Sequence, residues 1–286
     1  DIVIDNYRFF MQNTIWLFNP EQDMALASYS VYYMTPNHIK KMKSDLSILP
    51  IWYADKGENP IFVLSNRDNS HFLKDMQNLF PTLSSVSLIS SLNGNFRALF
   101  PWGWNPALLH NIELSGVSID DLPSYSDIDI MRELSGRKQA VSLLSLFYEL
   151  EPIAAAFGDN GEGAKAISFN SMSDVSQFIE KYNDLIFKAP WSGSGRGVRR
   201  VAATLSESDM GWMQRVIRTQ GSVIGEPYYN KVVDFAMEFE CESQEVKFTG
   251  YSLFETDNQG AYKCNILDSD DVIEKIISHY ISTIDL

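Results

Sequence analysis

Phe187-Lys188-Ala189-Pro190-Trp191-Ser192-Gly193-Ser194-Gly195-Arg196-Gly197-Val198 decides how the second half of this chain is read. An apolar run from Leu185 to Ala189 carries a cation into a turn with three glycines, and Val198 to Ala202 resumes an extended pattern. The stretch reads as strand, flexible turn, strand. Such a turn can direct several backbone N–H groups at one point, and with a lysine at its mouth it suits a polyphosphate.

The order of these residues excludes familiar alternatives. A Walker loop sets its lysine after the glycines, in GxxxxGK[ST], and the chain has no such string. Gly193, Gly195 and Gly197 give GxGxG before a strand, where the dinucleotide fingerprint needs GxGxxG before a helix. A protein kinase carries its lysine after the glycine loop and needs HRD and DFG strings, which the sequence lacks.

Outward from the loop, a helix over Glu207 to Thr219 leads to a strand over Ser222 to Glu226, closed by Pro227 and Tyr228. Val233, Phe235, Met237, Phe239 and Cys241 alternate with Asp234, Ala236, Glu238 and Glu240, the two-residue period of a strand with one apolar face. Val246 to Leu253 and Ala261 to Leu267 flank Asp257-Asn258-Gln259-Gly260 as a hairpin. A helical stripe follows through Val272, Ile273, Ile276, Ile277, Tyr280 and Ile281. Before the loop stand a strand (Ala166 to Phe169) and a helix (Asp174 to Tyr182), after a break at Gly161-Glu162-Gly163. Together these make an α+β unit.

The first half alternates strand and helix. Ile15 to Phe18 and Ile61 to Leu64 read as strands, and helices start at Thr35-Pro36, run through Phe72, Met76 and Leu79, and cover Pro106 to Leu114. That alternation predicts an α/β layer on a largely parallel sheet. The polar, turn-rich segment Leu122 to Asp129 sets the division near Tyr125, giving domains 1–124 and 125–286, with Asp1 to Phe10 as an extension upstream of Met11. One helix is expected from Ile130 to Leu150, burying Leu134, Val141, Leu144 and Phe147.

With 286 residues, 45% hydrophobic and 21% charged, the chain can bury a sizeable core in two domains. A formal charge of −14 opposes broad contact with nucleic acid or an anionic membrane, so a phosphate ligand must meet local cations. Cys241 and Cys264 form neither a CxxC nor a zinc pattern, and the expected compartment is the cytoplasm. No apolar run has the length of a bilayer span. His38, His71, His110 and His279 are dispersed and read as surface or packing residues.

Lysine first, glycines second, then Glu226 and Asp234, resembles the ATP-grasp superfamily over about Ile130 to Leu267. The resemblance implies an α/β pre-ATP-grasp-like domain followed by an α+β ATP-grasp-like domain, with a lid over about 151–224 and a second subdomain beginning in 225–286. It implies that Lys188 meets the α and β phosphates of ATP, and that Ser192, Gly193, Ser194, Gly195, Arg196 and Gly197 form the closing loop. Glu226 and Tyr228, with Pro227 and Tyr229, match the hinge that receives adenine, Asp234 a ribose ligand, and Arg137 in Ser135-Gly136-Arg137-Lys138 a nucleotide contact. An amino group needs an acceptor and ribose hydroxyls suit a carboxylate, so the residue types fit.

Phe18-Asn19-Pro20-Glu21-Gln22-Asp23-Met24-Ala25-Leu26-Ala27 and Pro101-Trp102-Gly103-Trp104-Asn105-Pro106 resemble strings of bacterial ATP-grasp-like proteins in which an α/β domain precedes the grasp. Glu21, Asp23 and Trp104 are candidates for a cleft there, against turn and packing roles. The implied activity is an ATP-dependent carboxylate–amine ligase acting on a small-molecule carboxylate or amine. The alternative is a nucleotide-binding module without catalysis. Magnesium is expected with the complete fold, yet Asp268, Asp270 and Asp271 read as cap and first-turn charges, so no metal ligand is assigned and the second domain is expected to be incomplete.

Overall fold

The computed structural model describes residues 13–54, 60–149, 166–182, 184–193, 195–202, 204–229, 231–242, 245–257 and 260–281. Asp1 to Met11, Gly161-Glu162-Gly163, Ser194 and Asn258-Gln259 lie outside them. The chain divides into two compact units, Asp1–Ser135 and Gly136–Leu286.

In the first unit, β1 (Thr14–Leu17) is followed by α1 (Gln22–Ser28), α2 (Asn37–Asp45) and the single turn α3 (Pro50–Tyr53). Next come β2 (Ile61–Leu64), α4 (Ser70–Leu79), β3 (Val86–Ile89), β4 (Asn95–Pro101), α5 (Pro106–Ser115), β5 (Ser118–Asp121) and α6 (Tyr125–Ser135). The five strands are all parallel, in the order β3-β2-β1-β4-β5. Ile15 and Leu17 are buried with Phe96, Leu99 and Ile112 on one side, while Ile61, Val63 and Val86 are buried with Ile51 and Leu73. Pattern reading missed β3, β4 and β5 because Arg97, Ser87 and Asp120 interrupt short runs whose burial comes from parallel neighbours.

The division falls after α6, beyond Tyr125. Ile128 is fully buried, and Arg132 donates from Nε to Leu26 O at 2.9 Å while its guanidinium lies 4.4 Å from the Tyr29 ring centroid, so α6 is held by the first unit. The expected single helix 130–150 is also two helices, because the chain turns at Gly136 (φ −76°, ψ 141°) before α7 (Arg137–Tyr148). A stripe drawn across that turn cannot stay on one face, and Leu134, Leu144 and Phe147 are exposed rather than buried.

The second unit continues with β6 (Ile167–Phe169), α8 (Met172–Lys181), β7 (Asp184–Lys188), β8 (Val198–Ala202), α9 (Glu207–Gln220) and β9 (Val223–Pro227). Then come β10 (Asp234–Glu242), β11 (Glu245–Thr256), β12 (Tyr262–Ile266) and α10 (Asp270–Ile281). Two antiparallel sheets result, β6-β9-β7-β8 and β10-β11-β12. Helices α8 and α9 start at Ser171 and Ser206, whose hydroxyls accept from Asp174 N and Asp209 N. Their apolar faces cover the four-stranded sheet, burying Val175, Phe178, Met213 and Val216 against Leu185, Phe187 and Val223. On the three-stranded sheet, Ile273 and Ile277 of α10 pack on Leu253, Val233 and Phe235.

The apolar face expected along β10 is covered only in its first part. Met237, Phe239 and Cys241 are exposed, and the register with β11 shifts between Glu238 and Phe239, which breaks the two-residue alternation there. Asp270 and Asp271 do lie in the first turn of α10. Among the described residues no helix is long and apolar enough to cross a membrane.

Phe187 is fully buried at the centre of the four-stranded sheet. Phe187→Ala is expected to cost about 3 to 5 kcal/mol. Urea unfolding followed by circular dichroism checks this, with an unchanged midpoint as the contrary result.

Candidate functional site

Strand β7 has a two-sided pattern. Leu185 and Phe187 point into the core beneath α8 and α9, while Ile186 and Lys188 take the opposite face. Register with β9 sets Ile186 opposite Glu226 and Lys188 opposite Ile224, so Lys188 and Glu226 are diagonal neighbours. Lys188 Nζ and a Glu226 carboxylate oxygen form an ion pair with both side chains partly shielded.

These two residues line a cavity of about 330 Å³ between the two sheets of the second unit. Its wall also includes Arg137, Gly195, Pro227, Tyr228, Tyr229 and Asp234, so eight of the residues singled out in the sequence come together. The volume sits at the lower end of small-molecule sites. Beside Tyr228, Arg200 stacks its guanidinium 3.7 Å from the ring centroid and binds both carboxylate oxygens of Asp184, at 2.9 and 2.5 Å. That hydrogen-bonded partner lowers the pKa of Asp184 and raises that of Arg200. Tyr228 N donates to Asp184 O at 2.9 Å, which fixes the chain as it leaves β9.

The cavity wall further contains Lys231, Thr256, Asp257 and Gly260, which the sequence reading did not select. Asp234 Oδ2 accepts from Lys231 Nζ at 2.7 Å and from Thr256 Oγ1 at 2.8 Å. Lys231 lies three residues from Asp234 in a loop, and that local spacing could have flagged it. Thr256 reaches the same carboxylate only through the pairing of Asp234 with Phe254 across β10 and β11, which the sequence does not display.

The glycine loop is closed at its neck by Ala189 N donating to Gly197 O at 2.8 Å. Its glycines have separate jobs. Gly195 has φ +74°, and a Cβ there would stand 2.6 Å from Gly260 O and from the Ala261 Cα, so the loop tip rests on the β11–β12 turn. Gly197 leaves room for Ser192, whose Oγ would stand 2.2 Å from an added Cβ. Arg196 is exposed, Arg196 N donates to Gly193 O at 3.2 Å, and neither Ser192, Gly193, Arg196 nor Gly197 is among the cavity-wall residues. Ser194 is outside the described residues.

Magnesium finds no ready ligand set here. Among the described residues no group of three or more His, Cys, Asp or Glu side chains converges, and Glu226 and Asp234 already face Lys188 and Lys231.

The two strings of the first unit meet at the carboxyl ends of β1 and β4, where the strand order reverses. Asn19, fully buried, donates to Gly103 O at 2.7 Å and accepts from Gly103 N at 3.2 Å. Gln22 donates to Trp104 O at 2.6 Å and accepts from Asn105 Nδ2 at 3.0 Å, and Asn105 caps α5 by accepting from Leu108 N. These amides tie the two turns together. Glu21 turns away to pair with Lys43 at 2.7 Å, burial and the Glu21 charge raise the pKa of Tyr33, Asp23 is exposed, and Trp104 packs on the sheet core. Trp102 is exposed, edge-on to Phe18 and Tyr53.

Among solved structures, the chain is similar to N5-carboxyaminoimidazole synthetase from Staphylococcus aureus complexed with ADP, at 15% identity over 96% of this chain and 64% of that one, TM-score 0.40. It is similar to carboxyaminoimidazole ribonucleotide synthase from Aspergillus clavatus complexed with ATP, at 11% identity over 97% and 64%, TM-score 0.42. It is also similar to D-alanyl-alanine synthetase A from Vibrio cholerae O1, at 10% identity over 96% and 81%, TM-score 0.38. The chain spans under two thirds of the length of the first two. No family model matches the sequence, and no curated protein matches it.

Gly195→Ala forces both a left-handed alanine and a clash with backbone atoms of the β11–β12 turn. The expected result is a loop lifted from that turn, with faster amide exchange at Gly195 to Val198 and global stability lowered by only about 1 to 2 kcal/mol. Exchange mass spectrometry on a peptide covering the loop measures it.

Proposed function

We propose that the second unit binds ATP in the cavity between its two sheets. The observation that supports this reading is the shared cavity wall of Arg137, Lys188, Gly195, Glu226, Tyr228 and Asp234, residues that lie far apart in the chain. In this reading Lys188 releases Glu226 to meet the α and β phosphates. The freed carboxylate accepts from the adenine amino group, and Asp234 receives the ribose hydroxyls. Backbone N–H groups of the glycine loop meet the phosphates and replace water as donors.

For the whole protein the proposed reaction is ATP-dependent carboxylate–amine ligation. A substrate carboxylate oxygen attacks the γ phosphorus and ADP leaves, giving an acylphosphate. An amine then attacks the acyl carbon, phosphate leaves, and the nitrogen loses a proton. The chain's own residues would supply positioning and charge neutralisation. A cytoplasmic setting suits the two exposed cysteines, Cys241 and Cys264, which are free thiols. A second reading, nucleotide binding without catalysis, draws on the carboxylates Glu226 and Asp234 being already engaged by lysines.

Titration calorimetry of this chain with ATP tests the first step. Lys188→Ala is expected to weaken ATP binding by about tenfold to a hundredfold, the value of a charge-assisted bond to phosphate, and AMP binding much less. Equal ATP affinity in the wild type and the variant, or no adenine-nucleotide binding by either, refutes the reading. ADP release that requires an added carboxylate and amine supports ligation over simple binding.

A further inference from the structure

Arg137 stands at the first position of α7, where a cation faces the positive end of the helix dipole. That placement is locally unfavourable, and the bonds of the residue show what offsets it. Nη1 donates to Ala189 O at 2.5 Å and to Ser192 Oγ at 2.7 Å, and Nη2 donates to Ser192 O at 3.0 Å. The backbone N–H of Arg137, one of the unsatisfied donors of the helix start, donates to Pro190 O at 3.1 Å. From the other side, Gln220 at the end of α9 accepts from Trp191 N at 2.9 Å.

Every residue from Ala189 to Ser192 is therefore held by a group from one of two helices. Ser192, so held, lies against Gly197, where any side chain would displace its hydroxyl. The anchor thus reaches the far end of the loop. Beyond it, Arg196 N donates to Gly193 O, Val198 N donates to Gly195 O, and Gly195 lies against Gly260 and Ala261.

We propose that Arg137 is a positioning residue: it fixes the root of the glycine loop, Ala189 to Ser192, and serves the nucleotide by presenting this loop rather than by contacting phosphate itself. The role at the site rests on the nucleotide reading above, whereas the anchoring is a property of the chain without ligand. A planar guanidinium can hold Ala189 and Ser192 at once with two nitrogens, and a lysine ammonium, with one, cannot. The distinction between charge and fork makes the proposal testable.

Arg137→Lys keeps the charge and loses the fork. In the nucleotide-free protein, amide exchange in a peptide covering 189–199 is expected to accelerate by about tenfold or more, with exchange in α9 and the urea midpoint little changed. ATP affinity is expected to fall several-fold. Ser192→Ala, which leaves α7 intact and removes one acceptor, should reproduce a smaller part of the same acceleration. Weaker ATP binding with loop exchange unchanged would make Arg137 a direct phosphate ligand and overturn the proposal. A general rise in exchange with a lowered urea midpoint would reduce it to fold support and overturn it as well. Faster loop exchange in a protein that binds no nucleotide at all would uphold the anchoring and sink the proposed ATP function instead.

Discussion

Strand β7 has to alternate, and the second unit is organised around that constraint. Leu185 and Phe187 are fully buried, so Ile186 and Lys188 must emerge on the cavity side, and a slip of one residue would exchange the two sets. Because β7 is flanked by β8 and β9, the register that buries Phe187 also brings Lys188 beside Glu226. The polar wall of the cavity is thus a by-product of the apolar core below it. Core packing fixes register, register fixes which charges meet, and the meeting of a lysine with a glutamate gives a partly shielded pair that a polyanion can contest.

The same logic explains why Lys188 is held rather than free. On a chain with a net charge of −14, a partly shielded ammonium beside a carboxylate is neutralised without a ligand, which limits nonspecific attraction of anions. Lys231 and Asp234 repeat the arrangement on the facing sheet, with Thr256 as a further donor. A nucleotide entering the cavity would meet two cation–carboxylate pairs. Its binding energy must exceed the exchange of one set of charge-assisted bonds for another. Lysine at both places suits such an exchange, since a single flexible ammonium can swing between acceptors where a guanidinium would be fixed.

Much of the second unit could be read from residue pattern because its strands are antiparallel, and a strand with one face buried alternates visibly, as β7 does. The parallel strands of the first unit hid their order. Asn95 to Pro101 carries Arg97 in its middle and is revealed as β4 only by its neighbours β1 and β5. At the candidate site, Lys188, Glu226, Tyr228 and Asp234 were singled out through the family resemblance that their order carries, and order survives in one dimension. Thr256 and Gly260 enter through the β10–β11 register and the β11–β12 turn, so their part needed the fold. The helix break at Gly136 was also hidden, because the apolar spacing continues through it although the backbone does not.

That break has a structural use. Had the helix run on through Gly136, the N–H groups at the start of α7 would have been spent on carbonyls of the preceding turn. Breaking it frees Arg137 N to bond Pro190 O and sets the guanidinium over Ala189 and Ser192. A turn that weakens one helix thereby fixes the entrance of a glycine-rich loop, which cannot order itself, since glycine gives up the most conformational entropy on being fixed. The first part of the loop, Ala189 to Ser192, is thereby ordered by α7 and α9, and Gly195 lies against the β11–β12 turn. Gly195 needs glycine for its own backbone, as its positive φ shows, while Gly197 serves the anchored part by making room for Ser192.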